Sequence, residues 1–248
     1  MTNVLTRADP LEQTLDKLAI SCRILAMEGH NDMSLGHMSF RDPQGRGLWL
    51  KRAQRGLDEI QGSSDFILID FDGKQLENAG FCHSEWPIHS EIMRARADVN
   101  VVGHTHAYYS VLFSAAEQEL QPLNHEGANI AGNLAHFDLT AGLINTKELG
   151  VALAQSLGKA SVVLMKNHGI TFVGASPEEA TLYGVYMERA CKAQIEIAAT
   201  GWKWTTAQTV AGYDRKTAAS SNPALNYHRI FFDYLARKLE RSERGHAR

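Results

Sequence analysis

Apolar side chains along this chain follow two different spacings, and stretches with one spacing alternate with stretches of the other. Between residues 11 and 28 they recur at intervals of three and four, which predicts an amphipathic helix. The same reasoning predicts further helices at about 84–97, 107–115, 150–158, 176–199 and 223–240. Compact apolar or alternating runs predict strands at about 34–42, 66–70, 100–106 and 160–166. The mixture predicts an α/β fold, as one domain over residues 1–248 with a core at about 11–200.

Two of the predicted helices carry a recognisable start signal. Ser84 is a good N-cap residue, and Pro87 is tolerated in the first turn that follows it. Ser176 has the same position before the helix at 176–199, because Pro177 and two acidic residues come next. Residues 223–240 have the apolar spacing of an amphipathic helix near the end of the chain.

Composition excludes several classes of protein. Of the 248 residues, 44% are hydrophobic and 21% are charged, as in an ordinary globular protein rather than a disordered or fibrous one. The net charge of −3, without a basic patch, argues against a nucleic-acid partner. No apolar run approaches the length needed to cross a membrane. Cys22, Cys82 and Cys191 do not have the spacing of a disulfide framework or a thiolate zinc site, so we expect a cytoplasmic location.

Histidine is unusually frequent in this chain, with 11 copies, seven of which fall between His30 and His125. His104 and His106 come at the end of the strand predicted at 100–106. Side chains two residues apart in a strand project from the same face, so these two imidazoles can bind one metal ion. The alternative is that one of them is exposed to solvent and the other is hydrogen-bonded in the core.

Two further residues can complete such a metal site. His168 follows the strand at 160–166 in the run Asn167-His168-Gly169, at a strand end, where functional groups of α/β folds gather. A third histidine ligand leaves a coordination position open for water or substrate. Glu85, near the start of a predicted helix, can act as a fourth ligand or as a general acid/base. The alternatives are a turn histidine bonded to a carbonyl and a glutamate that complements the helix dipole.

The sequence resembles the class II aldolase/adducin family over roughly residues 11–200, because four motifs occur in that family's order and with its separations. The segments that carry the resemblance are Gly36-His37-Met38-Ser39-Phe40-Arg41-Asp42, Ser84-Glu85-Trp86 with His89, His104-Thr105-His106 and Asn167-His168-Gly169. The resemblance implies a three-layer α/β/α sandwich around a mixed, largely antiparallel sheet. It also implies a homotetramer with active sites between subunits.

The resemblance assigns roles to individual residues. His104, His106 and His168 match the family's metal-binding histidines, and Glu85 matches the carboxylate that binds the metal or moves a proton. The implied cofactor is therefore a divalent metal ion. Imidazole and carboxylate ligands suit Zn, Mn, Co and Fe alike, so the identity of the metal stays open.

The sequence departs from the sugar-phosphate aldolases of this family where those enzymes hold the phosphate of their substrate. Their Gly-Asn and Ser-Ser pairs are replaced by Gly36-His37 and His83-Ser84, and Asp72 adds a negative charge that would repel a phosphate. We therefore expect a substrate that is not a sugar phosphate. The candidate substrate-binding residues are His37, His83, Ser84 and His89, since an imidazole can receive a carboxylate or stack on a planar ring.

A second departure concerns the proton donor of aldol cleavage. Aldolases of this type place a catalytic tyrosine after the position of Pro122, where it reaches into a neighbouring subunit. This chain instead reads Leu123-Asn124-His125-Glu126-Gly127. His125 is therefore the candidate catalytic residue of this segment, and the alternative is that it only forms the turn.

Together these features predict a divalent-metal-dependent carbon–carbon lyase with a small-molecule carboxylate as substrate. Aldol cleavage and decarboxylation both leave a carbanion on the retained fragment, which a metal bound to two substrate oxygens stabilises. The missing phosphate pocket and tyrosine favour decarboxylation of a hydroxylated carboxylic acid, with aromatic acids among the candidates. The alternatives are a retro-aldolase acting on an unphosphorylated hydroxy-oxo acid, a non-catalytic adducin-like interaction module, and an iron-dependent oxygenase.

Overall fold

An eight-stranded sheet crosses the centre of the molecule in the computed structural model, which describes residues 9–206 and 226–246. Its strands are β1 (His37–Arg41), β2 (Leu48–Lys51), β3 (Phe66–Ile69), β4 (Gln75–Glu77), β5 (Val101–Thr105), β6 (Leu134–Phe137), β7 (Val162–Met165) and β8 (Gly169–Gly174). They lie in the order β4-β3-β2-β1-β5-β8-β7-β6. Only the β6–β7 pair of this sheet is parallel, so the prediction of a mixed, largely antiparallel sheet is confirmed.

Helices cover both faces of this sheet. Those of the described residues are α1 (Pro10–Leu25), α2 (Trp86–Ala95), α3 (Tyr108–Ser114), α4 (His125–Ile130), α5 (Lys147–Leu157), α6 (Pro177–Ala199) and α7 (Tyr227–His246). A π-helical turn, Ala26–His30, continues α1, and 3₁₀ turns occupy Leu57–Glu59 and Ser63–Asp65. One apolar core joins α1, α3, α4, α6 and α7 to the sheet, and a second core joins α2 and α5 to its other face. The predicted three-layer arrangement is therefore confirmed.

Four strands and one helix were not predicted from the sequence, namely β2, β4, β6, β8 and α4. Every residue of β2 and β8 is buried, so neither strand shows the apolar–polar alternation of a half-exposed strand. β2 even buries Lys51, whose ammonium donates to the backbone carbonyls of Arg52 and Arg55. Sequence patterns that assume one solvent-exposed face cannot detect strands that are buried on both faces.

The helix expected to start at Ser84 begins two residues later, at Trp86, with Pro87 in its first turn as predicted. Glu85 takes the N-cap position, but its side chain makes no cap hydrogen bond. Its carboxylate instead accepts a hydrogen bond from the backbone N–H of Ile144, and Ser84 is exposed. The prediction of a Ser84 cap is thus wrong, because the turn in front of α2 directs Glu85 inward.

The C-terminal helix extends from Tyr227 to His246, beyond the end predicted at about residue 240. Residues 223–225 of that prediction lie outside the described residues. No helix within 9–206 or 226–246 combines the length and the apolar character that crossing a membrane requires.

The register of the central strands aligns residues that belong to the candidate functional site. β1 pairs with β5 so that His37 lies opposite His104, and β5 pairs with β8 so that His104 lies opposite Thr171. Gly103 has no side chain at the point where Phe172 packs, and a Cβ there would lie 2.2 Å from the Phe172 ring. Close approach of β5 and β8 therefore depends on this glycine.

Candidate metal centre and active site

The metal site predicted from the sequence begins at the end of β5. His104 is fully buried, and its Nε2 atom lies 3.1 Å from the Nε2 atom of His106. His168 joins them from the turn between β7 and β8, where Asn167 has the left-handed φ of 55° that asparagine tolerates. The ring centroid of His168 is 5.0 Å from that of His104 and 5.2 Å from that of His106. Three imidazoles from two strand ends therefore converge.

Glu85 approaches the same point from the start of α2. Its Oε1 atom is 3.5 Å from Nε2 of His168, and its Oε2 atom is 3.7 Å from Nε2 of His104. The backbone N–H of Ile144 donates a hydrogen bond of 2.8 Å to Oε1 and so holds the carboxylate in place. Glu85 and the three histidines offer ligand atoms that all lie within 4.8 Å of one another. The structure thus brings together the four residues that the sequence assigned to this site.

Hydrogen bonds on the far side of the rings determine which nitrogen His104 and His106 direct into the site. Nδ1 of His106 is 3.0 Å from the carboxylate of Asp32, which only accepts, so His106 carries its hydrogen on Nδ1. Thr171 donates to the sulfur of Met165, and its oxygen then accepts from Nδ1 of His104 at 3.1 Å. Both Nε2 atoms therefore turn lone pairs toward each other, an arrangement that a bound cation would relieve.

The spacing of these atoms fits a divalent metal ion. Tetrahedral zinc–nitrogen bonds of about 2.0 Å would hold the ligand nitrogens about 3.3 Å apart. The Nε2 atoms of His104 and His106 are 3.1 Å apart, and the Glu85 carboxylate lies 3.5 to 3.7 Å from the histidine nitrogens nearest to it. The donor set therefore fits such an ion in both chemistry and size, and the same ligands suit several metals.

Burial sets the protonation of these groups. Burial, together with His106 and His168, holds the pKa of His104 well below its usual range, and burial lowers the pKa of His168 to about 4. The two imidazoles are therefore neutral at pH 7, which is the form that binds a metal. Burial also raises the pKa of Glu85, although the N–H of Ile144 acts in the opposite direction. Glu85 is thus suited to hold a proton as well as to bind a cation.

Three further histidines form a second cluster beside the metal site. The ring centroid of His37 lies 4.4 Å from that of His83, 4.8 Å from that of His89 and 5.1 Å from that of His104. His89 is fully buried, with Nε2 at 2.6 Å from Nδ1 of His37 and Nδ1 at 2.7 Å from the hydroxyl of Ser39. Both nitrogens of His89 are therefore engaged within the protein, and its predicted role in substrate binding stays a prediction.

The histidines of this second cluster do not carry the positive charge that the sequence allowed for. Burial lowers the pKa of His83 to about 3, and burial together with His83 and His89 holds the pKa of His37 well below its usual range. Both rings are therefore neutral at pH 7, so they can offer hydrogen bonds but no positive charge. Ser84 is exposed next to His83 in the chain.

Asp72 does not oppose an anionic substrate in the way the sequence indicated. Its carboxylate accepts a hydrogen bond of 2.6 Å from Lys147 and one of 2.8 Å from Arg94, and both cations lower its pKa. The negative charge is therefore compensated. The expectation that the substrate is not a sugar phosphate now rests on His37 and His83, which replace the small phosphate-binding residues.

His125 lies apart from both histidine clusters. It opens α4 as an exposed residue, and its ring centroid is 6.2 Å from that of Tyr186 and 6.5 Å from that of Phe231. These residues line a cavity of about 490 Å³ between α4, α6 and α7. A single chain therefore does not bring His125 to Glu85, and the predicted catalytic role requires a second chain.

The metal site opens into a groove that sequence reasoning did not describe. The groove has a volume of about 640 Å³ and includes His106 and His168 in its wall. Asn31 and Asn167 contribute amide groups to it. Its apolar surface comes from exposed residues, among them Tyr108 and Leu143. A flat, partly apolar molecule can therefore reach the metal site from this side.

Fold and site together define a class of α/β protein with a three-histidine, one-glutamate centre at its strand ends. The family described as Class II Aldolase and Adducin N-terminal domain matches residues 16–195, and the chain belongs to the class II aldolase/adducin family.

Several relatives share the name 3,4-dihydroxyphthalate decarboxylase. The 3,4-dihydroxyphthalate decarboxylase of Rhodococcus jostii is 30% identical over 197 residues, covering 74% of this chain and 80% of that protein. The 3,4-dihydroxyphthalate decarboxylase of Arthrobacter keyseri is 28% identical over 197 residues, covering 75% and 79%. An aldolase II superfamily protein from Pseudomonas syringae has the same fold, with a TM-score of 0.82 and 26% identity over 95% of this chain and 96% of that one.

Proposed function

We propose that this protein is a divalent-metal-dependent decarboxylase of a hydroxylated aromatic carboxylic acid. The observation that carries the proposal is the convergence of Glu85, His104, His106 and His168 in a chain similar to two 3,4-dihydroxyphthalate decarboxylases. Zn, Mn, Co and Fe are all compatible with the donor set.

The three histidines hold the metal in this proposal. A divalent ion held by them would act as a Lewis acid and would stabilise negative charge on the retained fragment. Glu85 supplies the proton. The bond between the ring carbon and the carboxylate breaks, carbon dioxide leaves, and the electron pair stays on the ring carbon. The protonated carboxyl of Glu85 then donates to that carbon, and water returns a proton to Glu85 afterwards.

The surroundings of the site favour an aromatic acid over a sugar phosphate. Tyr108 and Leu143 give the groove an exposed apolar surface on which a planar ring can lie. His37 and His83 are neutral, so they offer a phosphate dianion neither charge nor the small hydroxyl and amide donors of the aldolases. These features support decarboxylation, and the retro-aldolase alternative is an outcome of the test below.

The test offers substrates to protein reconstituted separately with Zn, Mn, Co and Fe. Release of carbon dioxide from 3,4-dihydroxyphthalate or related hydroxylated aromatic acids is the expected result. Glu85→Gln should lower kcat by about 100-fold or more, since a positioned acid contributes a rate factor of that order. Glu148→Gln, at an exposed position in α5, is the matched control and should leave kcat unchanged. Sustained aldehyde release from hydroxy-oxo acids, with no carbon dioxide from any acid, would overturn the proposal in favour of a retro-aldolase.

We further propose that the chain acts as a homotetramer, as the family resemblance implies. Exposed apolar side chains such as Met33, Tyr108 and Leu139 support an interface between copies of the chain. Only such an interface could bring His125 to a catalytic centre. Sedimentation analysis should give a species of four chains, and a monomer that releases carbon dioxide at full rate would contradict both the tetramer and the catalytic role of His125.

A further inference from the structure

The helix α3 connects two segments of the candidate metal site. It begins at Tyr108, two residues after His106. It ends at Ser114, whose side chain contacts the turn that carries His168. Contacts that hold α3 in place therefore act on two of the three imidazoles at once.

The first turn of α3 is held by a buried carboxylate from a helix that is distant in sequence. Glu188 of α6 accepts hydrogen bonds of 2.9 Å from the backbone N–H of Tyr109, 2.8 Å from that of Ser110 and 2.7 Å from the Ser110 hydroxyl. The first N–H groups of a helix have no partner within it, and Ala107 at the N-cap position makes no side-chain cap. Glu188 thus supplies acceptors that the local sequence lacks.

The last residue of α3 holds the turn in front of His168. The hydroxyl of Ser114 donates to the backbone carbonyl of Val111 at 2.7 Å and accepts from the backbone N–H of Asn167 at 3.0 Å. Asn167 has a left-handed φ of 55°, a conformation that persists where the surrounding structure holds it. The bond to Ser114 therefore helps to fix the direction in which the chain continues to His168.

The base of this arrangement is α6, which packs closely on the sheet. Gly184, one turn before Glu188, lies where a Cβ would be 3.0 Å from the Phe172 ring of β8. β8 pairs with β5, the strand that carries His104. Glu188 therefore ties α3 to the part of the sheet that positions the remaining imidazole.

We propose that Glu188 and Ser114 are positioning residues of the metal site, and that α3 sets the separation of His106 and His168. The inference rests on the proposed function, because it concerns a metal held at this site. Glu188 fixes the end of α3 next to His106, and Ser114 fixes the turn next to His168. Loss of either contact releases one imidazole while the other ligands stay in place. The site then binds a metal more weakly and with altered coordination.

The first test measures the affinity for Zn²⁺ by competition with a chelator. Glu188→Gln keeps the shape of the side chain but replaces one acceptor oxygen by an NH₂ group, which then faces a donor of α3. Ser114→Ala removes the acceptor for the N–H of Asn167. Both variants should bind Zn²⁺ about 10-fold more weakly, at the lower end of the effect of groups behind a metal ligand. The matched controls, Glu196→Gln in α6 and Ser156→Ala in α5, are at exposed positions and should keep the wild-type affinity.

A second measurement separates positioning from a contribution to stability alone. The visible absorption of bound Co²⁺ reports the geometry of its ligands. In protein saturated with Co²⁺, the absorption band should shift or weaken in Glu188→Gln and in Ser114→Ala, and should stay as in the wild type in the two controls. A residue that only stabilises the fold would lower the free energy of unfolding in urea and leave the spectrum of the folded, saturated protein unchanged.

The outcomes separate this inference from the proposed function. If the wild type binds both metals and the two variants keep its affinity and its spectrum, the positioning roles are wrong while the metal-centred function stands. If the wild type binds none of Zn²⁺, Mn²⁺, Co²⁺ and Fe²⁺, the proposed function fails and the inference fails with it. Should Glu188→Gln not fold, Ser114→Ala still decides the inference, because it leaves the contact between α3 and α6 intact.

Discussion

At the scale of single residues, Asp32 decides what His106 can bind. Its carboxylate accepts from Nδ1 of His106 at 3.0 Å and so leaves Nε2 free to face the metal site. An Asp32→Asn variant keeps the shape of the side chain but loses the charge, and its amide can donate to Nδ1 instead. We expect metal affinity to fall about 10- to 100-fold, the effect typical of a carboxylate behind a histidine ligand. Competition with a chromogenic chelator measures this directly.

The control for this prediction is Asp58→Asn, which removes one exposed carboxylate from the neighbouring 3₁₀ turn. It should leave the affinity unchanged. Wild-type affinity in a folded Asp32→Asn protein would show that His106 keeps its orientation without the carboxylate, against the tautomer assigned above.

Some residues of the site could be predicted from their spacing in the sequence, others needed the family resemblance, and one is revealed by the tertiary structure alone. The alternation of a strand predicts that His104 and His106 share a face, and the structure places their Nε2 atoms 3.1 Å apart. Glu85 and His168 needed the family resemblance, since each also has an ordinary structural role in isolation. Asp32 went unnoticed because its bond to His106 joins residues 74 positions apart, and no local pattern records such a pairing.

At the scale of elements, the spacing of apolar residues predicts the helices and strands that have one polar face. α1 and α6 were predicted nearly to their ends, because both have an apolar side packed on the sheet and an exposed side. β2 and β8 were not predicted, because burial on both faces removes the alternation that marks a strand. Because β8 was not predicted, the contact between Thr171 and His104 could not be predicted either, although it belongs to the site.

The clearest link between elements is a buried carboxylate in the π-helical turn after α1. Glu28 accepts hydrogen bonds of 2.6 Å from Arg189 of α6 and 2.7 Å from Lys238 of α7, a helix that lies outside the family match at 16–195. Burial alone would raise the pKa of Glu28, but Lys238 and Arg189 outweigh it, so the pKa is lowered. A carboxyl with a lowered pKa stabilises the fold above its unfolded pKa of about 4.3 and loses that contribution as pH falls.

Glu28→Gln should therefore destabilise the protein by about 2–3 kcal/mol at neutral pH, the contribution of charged hydrogen bonds at a buried site. The gap between wild type and variant should stay constant down to about pH 5 and then close as Glu28 of the wild type becomes protonated. Urea unfolding at a series of pH values measures both effects. Glu12→Gln, at an exposed position in α1, serves as the control, and a gap that widens in acid would contradict the lowered pKa.

At the scale of the whole molecule, the candidate metal site is a junction of distant segments. Glu85 comes from the start of α2, His104 and His106 from the end of β5, and His168 from the turn between β7 and β8. The strand order that brings these ends together pairs β5 with β8 rather than with β6, which the order of elements along the chain does not reveal. A metal bound there would link the segments that lead into both helical layers to the centre of the sheet.

Metal binding at such a junction would stabilise the native state. At a free metal concentration about 1,000 times its dissociation constant, binding to the folded chain alone adds about 4 kcal/mol. For a chain of this size that corresponds to a rise in Tm on the order of 10 °C. Calorimetry of chelator-treated protein before and after addition of Zn²⁺ or Mn²⁺ should show this rise in the wild type and in His136→Ala, and should lose most of it in His168→Ala. If no divalent metal shifts the Tm of the wild type, the four residues do not form a metal site, and the chain is better explained as a non-catalytic, adducin-like interaction module.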